Sequence, residues 1–359
     1  MSRQVRAQVD TGAMRANLSL LQQRAPRSRM LAVLKSDAYG HGAVAAARAL
    51  EPHAEGFGVA AQGEAEILRE AGVRLPIVLF GGFDAPEDIE RLRQLDIRPA
   101  IHHPSQIDML QARGAAEPLR VWFKIDSGMN RLGFPPEEVH EALARLRAIP
   151  GVAPDIVLMT HFAASDEPGS PSVARQLAVF REASAGLGLE TSLANSTAVL
   201  DHPDTHGDWI RPGGALYGLT TKPDRCAADD GLKPAMRLST RLVAVREKPA
   251  GAAIGYGGSF VCPQPMRMGV ITAGYGDGYP RHAPSGTPVL VNGVRCRTIG
   301  RVSMDLITID LGNAPEARVG DEVVLWGEGL AIEEVAASAG TISYELSCVL
   351  TRRVRFEYT

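Results

Sequence analysis

The sequence lacks an excess of charge of either sign, and it lacks any long apolar run. It has 38 Lys and Arg residues against 41 Asp and Glu residues, which gives a net charge of −3 over 359 residues. A chain without a basic surplus attracts polyanions weakly, so nucleic acid is disfavoured as its main ligand. No apolar run approaches the roughly 20 residues that a membrane-spanning helix needs. We therefore expect a globular protein that binds neither nucleic acid nor membrane.

Cysteine is also scarce. The four cysteines are widely spaced and form no C-x-x-C pair, which disfavours a zinc site or a redox motif, so we expect no metal. The polar amino terminus, MSRQVRAQVD, has neither the apolar core nor the cleavage site of a secretory signal. We expect a cytoplasmic protein whose cysteines are reduced and mostly packed. They are Cys226, Cys262, Cys296 and Cys348.

Strand-like and helix-like segments alternate through the first two thirds of the chain. This alternation is typical of parallel strands with helices outside, and eight units suggest a closed (β/α)8 barrel. An open doubly wound sheet is the alternative, but no G-x-G-x-x-G follows the first strand-like run. The runs are MLAVLK (30–35), GFGVAA (56–61), PIVLFG (76–81), IRPAIH (97–102), RVWFKID (120–126), DIVLMTH (155–161), TSLAN (191–195) and WIRPGGALYG (209–218). The helix-like segments cover residues 43–50, 63–72, 86–95, 135–149 and 170–188.

The pattern changes near residue 230. After the polar linker DDGLKP, strand-like runs dominate, and Asn292-Gly293 between two of them is a strong type I′ hairpin signal. The fold class that we predict is α/β, a (β/α)8 barrel followed by a mostly β domain. We expect the barrel over residues 8–228 and the second domain over residues 229–359, with residues 1–7 pairing with the second domain.

Polar and charged side chains follow the predicted barrel strands at their carboxyl ends. In a (β/α)8 barrel the chemistry takes place at this end. The set is rich in cations and hydrogen-bond donors, which suits an anionic, phosphorylated ligand with a carbonyl group to trap. The residues are Lys35, Lys124, Asp126, His161, Asn195, Ser196 and Arg211.

Position alone gives Lys35 two interpretations. An amine in a barrel mouth is partly desolvated and near other cations, which favours the neutral form. A neutral amine is a nucleophile that forms Schiff bases with carbonyls. Alternatively, the side chain simply extends from a strand end to water.

A structural role is open to each of the remaining strand-end residues as well. Asn195-Ser196 would open a helix whose N-terminus seats a phosphate, or it would serve as an ordinary N-cap. The glycines of IRPGG (210–214) allow a backbone to approach a ligand, or they form a tight turn. Burying the charged amine of Lys124 inside a barrel is costly unless the amine is neutralised or paired. Alternatively, the side chain faces outward. His161 fits either a core position in which its ring is hydrogen-bonded or a position in contact with a ligand.

Two glycine-rich stretches of the second domain each carry a tyrosine. IGYGGSF (254–260) contains Tyr256, and AGYGDGYPR (273–281) contains Tyr275. Aromatic residues in glycine-rich loops are frequently exposed and functional. Alternatively, each stretch is an ordinary turn, and the tyrosine ring packs over it.

Together these stretches resemble the alanine racemase family, and they occur in the family's order. The resemblance extends from AQVDTGAMRANLSLL (7–21) to ISYELSCVLTRRV (342–354). It implies a barrel plus a β domain, pyridoxal 5′-phosphate as the cofactor, L- and D-alanine as substrates, and a homodimer that shares its active sites. The most specific motifs are AVLKSDAYGHG (32–42), FKIDSGMNRLGF (123–134), IRPGGALYG (210–218), GYGGSF (255–260), GYGDGYPR (274–281) and GRVSMD (300–305).

The resemblance implies a role for each matching barrel residue. Lys35 would hold the cofactor covalently and act as a base on one face of the substrate. Arg211 would face the pyridine nitrogen, with His161 bonded to it. Lys124, which carries a carbamate in many members, would orient Arg131 near the substrate carboxylate. The cofactor phosphate and its surroundings would be held by Tyr39, Asn195, Ser196, Gly213, Gly214 and, from the second domain, Tyr344.

Three more residues of the second domain match functional positions of the family. Tyr256 would be the second catalytic base, donated by the partner subunit. Met304 would contact the substrate carboxylate through its backbone, and Tyr275 would stand at the active-site entrance. Two bases on opposite faces suit a racemase, because the α-proton leaves one face and a proton returns on the other.

Arg211 also bears on which enzyme of this architecture the chain resembles. A guanidinium does not readily lose a proton, so a pyridine nitrogen opposite it stays unprotonated and the ring withdraws electrons less strongly. Decarboxylases generally pair that nitrogen with an acid, which argues against them. A broad-specificity racemase shares the architecture, whereas a non-catalytic cofactor carrier resembles the barrel alone, so the second domain with Tyr256 argues against the carrier. The D-alanine would supply peptidoglycan, or the enzyme would act in alanine catabolism.

Overall fold

The computed structural model describes residues 5–113 and 118–359. The chain divides into two compact units. One contains the described residues up to Met14 together with Tyr217–Thr359, and the other is Arg15–Leu216. Within the described ranges, no helix combines the length and the apolar character that crossing a membrane requires.

The elements follow one another as the alternating pattern predicts. The strands are β1 (Arg6–Val9), β2 (Arg29–Val33), β3 (Gly56–Val59), β4 (Ile77–Leu79), β5 (Ile97–Ile101), β6 (Trp122–Lys124), β7 (Val157–Met159), β8 (Glu190–Ser192), β9 (Trp209–Ile210), β10 (Met236–Lys248), β11 (Ala253–Ile254), β12 (Phe260–Val261), β13 (Met266–Ile271), β14 (Pro288–Val291), β15 (Val294–Ile299), β16 (Ile307–Asp310), β17 (Glu322–Trp326) and β18 (Arg355–Tyr358). The α-helices are α1 (Thr11–Arg24), α2 (Ala43–Leu50), α3 (Gln62–Glu70), α4 (Pro86–Gln94), α5 (Pro104–Arg113), α6 (Val139–Arg147), α7 (Ser172–Ala183), α8 (Ser196–Asp201), α9 (Ile332–Ala339) and α10 (Ser343–Cys348).

Strands β2–β9 form a closed parallel barrel, which confirms the predicted (β/α)8 fold. Each strand pairs with the next, and β9 returns to β2 through Arg29 and Trp209. Every predicted apolar run overlaps one of these strands, although each strand is shorter than its run and β2 and β8 each begin one residue before it. Strand β2 ends at Val33, so Lys35 begins the following turn and is not the last strand residue.

Large apolar side chains fill one level of the barrel. The rings of Trp122 and Trp209 lie 5.9 Å apart. Burying one large apolar side chain stabilises the folded state by about 1.5–3 kcal/mol. This layer therefore forms a packed core of the barrel. The predicted polar site residues of the barrel lie at the carboxyl ends of the strands or in the segments that follow them. The cluster consists of Leu31, Val78, Ala100, Trp122, Val157, Met159 and Trp209.

The other unit is built on a mostly antiparallel sheet. Strand β10 pairs with β17 through Leu238–Arg241 and with β13 through its later residues, so the strands β13, β16, β15, β14, β17 and β10 form a ring of pairings. Strand β1 pairs with β10 and β18, which gives the segment Arg6–Val9 a place in this sheet. Of the predicted pairing of residues 1–7, residues 1–4 lie outside the described part of the chain.

Two hairpins of this unit depend on glycine. Asn292 and Gly293 join β14 to β15 with φ values of 48° and 80°, which confirms the type I′ hairpin. The short hairpin β11–β12 carries Tyr256 between Gly255 and Gly257, which adopt φ values of 70° and 71°. Its turn therefore needs glycine on both sides of the tyrosine.

Candidate active site

The segment after Lys35 is a left-handed turn. Ser36, Asp37, Ala38 and Tyr39 have φ between 52° and 56° and ψ between 39° and 51°. L-residues pay roughly 1–2 kcal/mol each in this conformation. Four in succession therefore require strong support from their surroundings, and such strain concentrates at functional sites.

Carboxylates hold the strained turn. The Ser36 N–H donates to Glu64 Oε1 at 2.6 Å, and the Ala43 N–H donates to Asp37 Oδ1 at 2.6 Å. The fully buried His41 contacts the Tyr39 carbonyl through Nδ1 at 2.8 Å, and burial lowers its pKa to about 4, so the ring is neutral. These contacts hold the turn in place, so the turn fixes the distance between Lys35 and Tyr39 at its two ends.

Lys35 and Tyr39 lie on the same side of this turn. The Lys35 ammonium nitrogen is 5.8 Å from the centre of the Tyr39 ring, and Tyr39 is only 9% exposed. The cation faces the electron-rich ring, an arrangement that is favourable within about 6 Å. Two residues predicted to hold the cofactor are thus brought together.

Tyr39, Ser196 and Gly213 form a small cradle at the carboxyl end of the barrel. The Ser196 hydroxyl accepts hydrogen bonds from the N–H groups of Gly213 at 2.9 Å and Ala215 at 3.2 Å. A Cβ at Gly213 would lie 2.3 Å from the Tyr39 hydroxyl oxygen, so only glycine fits there. Because the serine oxygen already accepts twice, its proton is available for an anion, and α8 starts at this residue.

Gly213→Ala is expected to weaken cofactor binding by about 10–100-fold, because overpacking of this kind costs roughly 1–3 kcal/mol. Titration of cofactor-free protein with pyridoxal phosphate measures this change. Gly63→Ala is the matched control, since nothing lies within 4 Å of the added methyl group. Equal affinity in the two variants would contradict the cradle.

Asn195 has a structural role that the sequence left open. Its side chain accepts a hydrogen bond from the Ala198 N–H at 3.0 Å, as an N-cap does, and also accepts one from the Ser165 hydroxyl at 3.0 Å. It therefore orients the helix that begins with Ser196. Contact between Asn195 and the cofactor stays a prediction.

Arg211 is buried, and neutral acceptors from two other strand ends hold it. Its guanidinium donates to the Thr160 carbonyl at 2.5 Å, the Leu193 carbonyl at 3.2 Å and the Ser192 hydroxyl at 2.8 Å. Ser192 in turn donates to the Trp209 carbonyl at 2.9 Å. Burial lowers the pKa of Arg211 to about 9, which leaves it charged at neutral pH.

The hydrogen bonds of the described residues do not join Arg211 to His161. Burial and four nearby cations together lower the pKa of the His161 imidazole to about 3, so this ring is neutral. The cations, in order of effect, are Arg211, Lys124, Lys35 and Arg131. The predicted histidine–arginine bond stays a prediction, and the structure shows the two groups as neighbours.

Lys124 is only 8% exposed and lies near enough to Arg131 and Arg211 to feel their charges, so its side chain does not extend outward to solvent. Burial, followed by the charges of Arg131 and Arg211, lowers the pKa of its amine to about 8. Asp126 at the same strand end partly opposes this shift. It also accepts three backbone N–H bonds of 3.0 Å, from residues 128–130, and so shapes the loop that leads to Arg131.

The remaining predicted residues belong to the other unit. Tyr256 is 70% exposed, Met304 is 51% exposed and Tyr275 is 38% exposed. Tyr344 lies near the start of α10. The backbones of the Tyr275 and Met304 turns are hydrogen-bonded, with Tyr275 N–H to the Ser303 carbonyl at 3.1 Å.

The barrel residues fit pyridoxal phosphate. The cradle offers hydroxyl groups and a close backbone approach for a phosphate, and Lys35 supplies an amine for the aldehyde. Four cationic side chains cluster here, and the single carboxylate of Asp126 balances their charge only in part. They are Lys35, Lys124, Arg131 and Arg211. The cluster therefore favours the binding of an anion. A phosphorylated cofactor and a substrate carboxylate bring the charge that such a set requires.

Comparison with known proteins identifies the family of the chain. The family model for the alanine racemase N-terminal domain matches residues 9–221, and the model for the C-terminal domain matches residues 235–358. An alanine racemase of Thioalkalivibrio sulfidiphilus is 50% identical over 359 residues, which covers 100% of this chain and 99% of the relative. One of Halorhodospira halophila is 48% identical and covers 99% of this chain and 98% of the relative.

Solved structures give the same result. The biosynthetic alanine racemase of Pseudomonas aeruginosa superposes with a TM-score of 0.96 at 44% identity, covering 99% of both chains. The alanine racemase of Acinetobacter baumannii superposes with a TM-score of 0.92 at 34% identity, covering 99% of this chain and 100% of that one. The chain belongs to the alanine racemase family, whose enzymes depend on pyridoxal phosphate.

Proposed function

We propose that the protein interconverts L-alanine and D-alanine by moving a proton between Lys35 on one face of the substrate and Tyr256 on the other. The observation that carries the proposal is the meeting of Lys35 with the cradle of Tyr39, Ser196 and Gly213 in a cationic barrel mouth. Bound there, pyridoxal phosphate supplies an electron sink for the α-carbon.

The chain's own residues would divide the work as follows. The cradle anchors the phosphate, and the strained turn holds the Lys35 amine at a set distance from it. Arg131 and the backbone of Met304 would bind the substrate carboxylate, and Tyr344 would complete the phosphate contacts. The large exposure of Tyr256 supports a role in the active site of a second copy of the chain, which makes a homodimer part of the proposal.

The surroundings of Arg211 support the proposed reaction specificity. Three neutral acceptors hold its guanidinium, and no carboxylate appears among the hydrogen-bond acceptors of this side chain in the described residues. A charged guanidinium does not readily give up a proton to the pyridine nitrogen. The site would therefore favour return of a proton to the α-carbon over side reactions that need a stronger electron sink.

Lys124 is proposed to carry a carbamate that orients Arg131. A neutral amine attacks CO₂, an N–C bond forms and one proton is released, so the buried cation becomes an anion. The lowered pKa of about 8 makes the neutral amine accessible near physiological pH. The conversion also relieves the cost of a buried cation beside two arginines.

In CO₂-free buffer, the free energy of unfolding is expected to rise between pH 8 and about pH 10.4. In this window the unfolded chain binds a proton at Lys124 and the folded chain does not, so the slope reaches up to about 1.4 kcal/mol per pH unit. Below pH 8 both states are protonated, and the destabilisation is fully present. Urea titrations across this range, with Lys124→Met as the control, measure it. Parallel curves for the two proteins would contradict an interior, cationic Lys124.

A panel of L-amino acids, followed by chiral chromatography of the products, tests the proposed activity. D-alanine is expected to form fastest. Rapid turnover of serine or lysine alone would overturn the alanine assignment and favour a racemase of another specificity. A role in supplying D-alanine to peptidoglycan, or in alanine catabolism, follows from this activity.

A further inference from the structure

Three turns of the unit that contains Tyr217–Thr359 meet at one arginine. The first turn carries Tyr275, the second carries Met304, and the third precedes β18 and contains Arg353. The Gly276 N–H donates to the Met304 carbonyl at 3.0 Å, and the Tyr275 N–H donates to the Ser303 carbonyl. The proposed entrance residue and the proposed carboxylate contact therefore stand on directly connected backbones.

The third turn is attached to the first by a threonine. The Thr351 hydroxyl donates to the Gly276 carbonyl at 2.9 Å, and the Thr351 N–H donates to the Asp277 carbonyl at 3.1 Å. The Arg353 N–H donates to the Thr351 hydroxyl oxygen at 3.3 Å. These contacts bring the Arg353 side chain over the Tyr275 turn.

The Arg353 guanidinium pairs with one carboxylate from each of the other turns. Its Nε lies 3.4 Å from Asp277 Oδ1, and its Nη2 donates to Asp305 Oδ1. The Asp277 side chain is 2% exposed, and its other oxygen accepts the Gly274 N–H at 3.0 Å. A rigid, planar guanidinium is suited to bridging two carboxylates in this way, whereas an ammonium is not.

Glycine makes room for the bridge. A Cβ at Gly276 would lie 2.1 Å from Arg353 Nη1, so a side chain at this position would displace the guanidinium. The GYGDGYPR motif and the closing ISYELSCVLTRRV segment thus contain two parts of a single contact. The proposed catalytic roles account for neither Asp277 nor Arg353.

We propose that Arg353 is a positioning residue that clamps the Tyr275 turn to the Met304 turn. It sets the geometry between the entrance tyrosine and the backbone that receives the substrate carboxylate, and this inference rests on the proposed function of those two residues. Its loss would therefore weaken substrate binding more than it slows proton transfer at Lys35 and Tyr256.

Arg353→Gln in the holoenzyme tests the clamp. We expect KM for alanine to rise about tenfold, which corresponds to about 1.4 kcal/mol, while kcat changes by less than about twofold. Hydrogen exchange followed by mass spectrometry should show faster exchange in the peptides that cover residues 274–278 and 302–306. Arg353→Lys, which keeps the charge but not the fork, is expected to restore only part of the affinity.

Arg352→Gln is the matched control, because it removes the same charge one position away. Within the part of the chain that the structure describes, no hydrogen bond or ion pair of the Arg352 side chain occurs. This variant should match the unaltered enzyme in KM and exchange. An Arg353→Gln variant that behaves like Arg352→Gln would overturn the clamp.

If Arg353→Gln does not fold, Asp305→Asn provides a second test of the clamp. Asp305 is 52% exposed, so the change cuts only the outer half of the bridge, and KM should rise about threefold. Unaltered KM and unaltered exchange in this variant would also overturn the clamp. Failure of the proposed function has a different signature, since the unaltered enzyme would then leave alanine unracemised while exchange in the two turns still responded to Arg353.

Discussion

Tyr256→Phe is expected to reduce racemisation of alanine by about 10²–10⁴-fold in both directions, the usual effect of removing a general acid–base group. Racemisation needs both faces of the substrate, so the loss of one base blocks the full reaction. The base on the other face still operates. One enantiomer should therefore continue to exchange its α-proton with D₂O, while the other should not.

Proton NMR of each enantiomer in D₂O separates these outcomes. Tyr358→Phe is a suitable control, because it also removes the hydroxyl of an exposed tyrosine in the same unit. It should leave both racemisation and exchange unaltered. Exchange that falls equally for both enantiomers in Tyr256→Phe would point to a role in substrate binding and contradict the two-base proposal.

Lys35→Ala is expected to lower racemisation by about 10³-fold or more, because it would remove both the proposed covalent attachment and one proposed base. Tyr256 remains in this variant, so any residual α-proton exchange should be confined to the enantiomer opposite to the one that exchanges in Tyr256→Phe. The cradle of Tyr39, Ser196 and Gly213 remains, so the variant should still bind pyridoxal phosphate without a covalent link. Absorbance spectroscopy and α-proton exchange measure these effects.

A small primary amine added to Lys35→Ala should restore part of the activity, since it can occupy the space of the missing side chain. Lys248→Ala removes a lysine from the end of β10 and should behave as the unaltered enzyme. Racemisation that survives in Lys35→Ala would exclude the assigned roles of this lysine.

The barrel was predictable because its strands carry their signal locally. Short apolar runs bounded by polar residues mark β2–β9, and the Asn292-Gly293 pair marks a hairpin. Helices α1 and α5 have weaker patterns, because each buries an amide side chain on its inner face. Asn17 donates to the Leu216 carbonyl, and Gln106 donates to the Phe83 carbonyl, so apolar periodicity alone does not reveal these helices.

The site was only partly predictable, because its support comes from distant segments. The left-handed turn after Lys35 has no glycine within Ser36–Tyr39, and Glu64, which holds it, lies on α3. Likewise Ser192, which accepts from Arg211, looks like an ordinary strand residue in the sequence. Such contacts follow from barrel closure, which sets side by side residues that no local pattern relates.

Reduction of the native enzyme with borohydride, followed by peptide mapping, tests the central claim most directly. Borohydride would reduce an imine between the cofactor and a lysine to a stable amine, so the label would mark the lysine that held the cofactor. We predict one labelled peptide, containing Lys35, and its disappearance in Lys35→Ala. A label on Lys124 or another lysine, or the absence of any label in protein that contains the cofactor, would contradict the account.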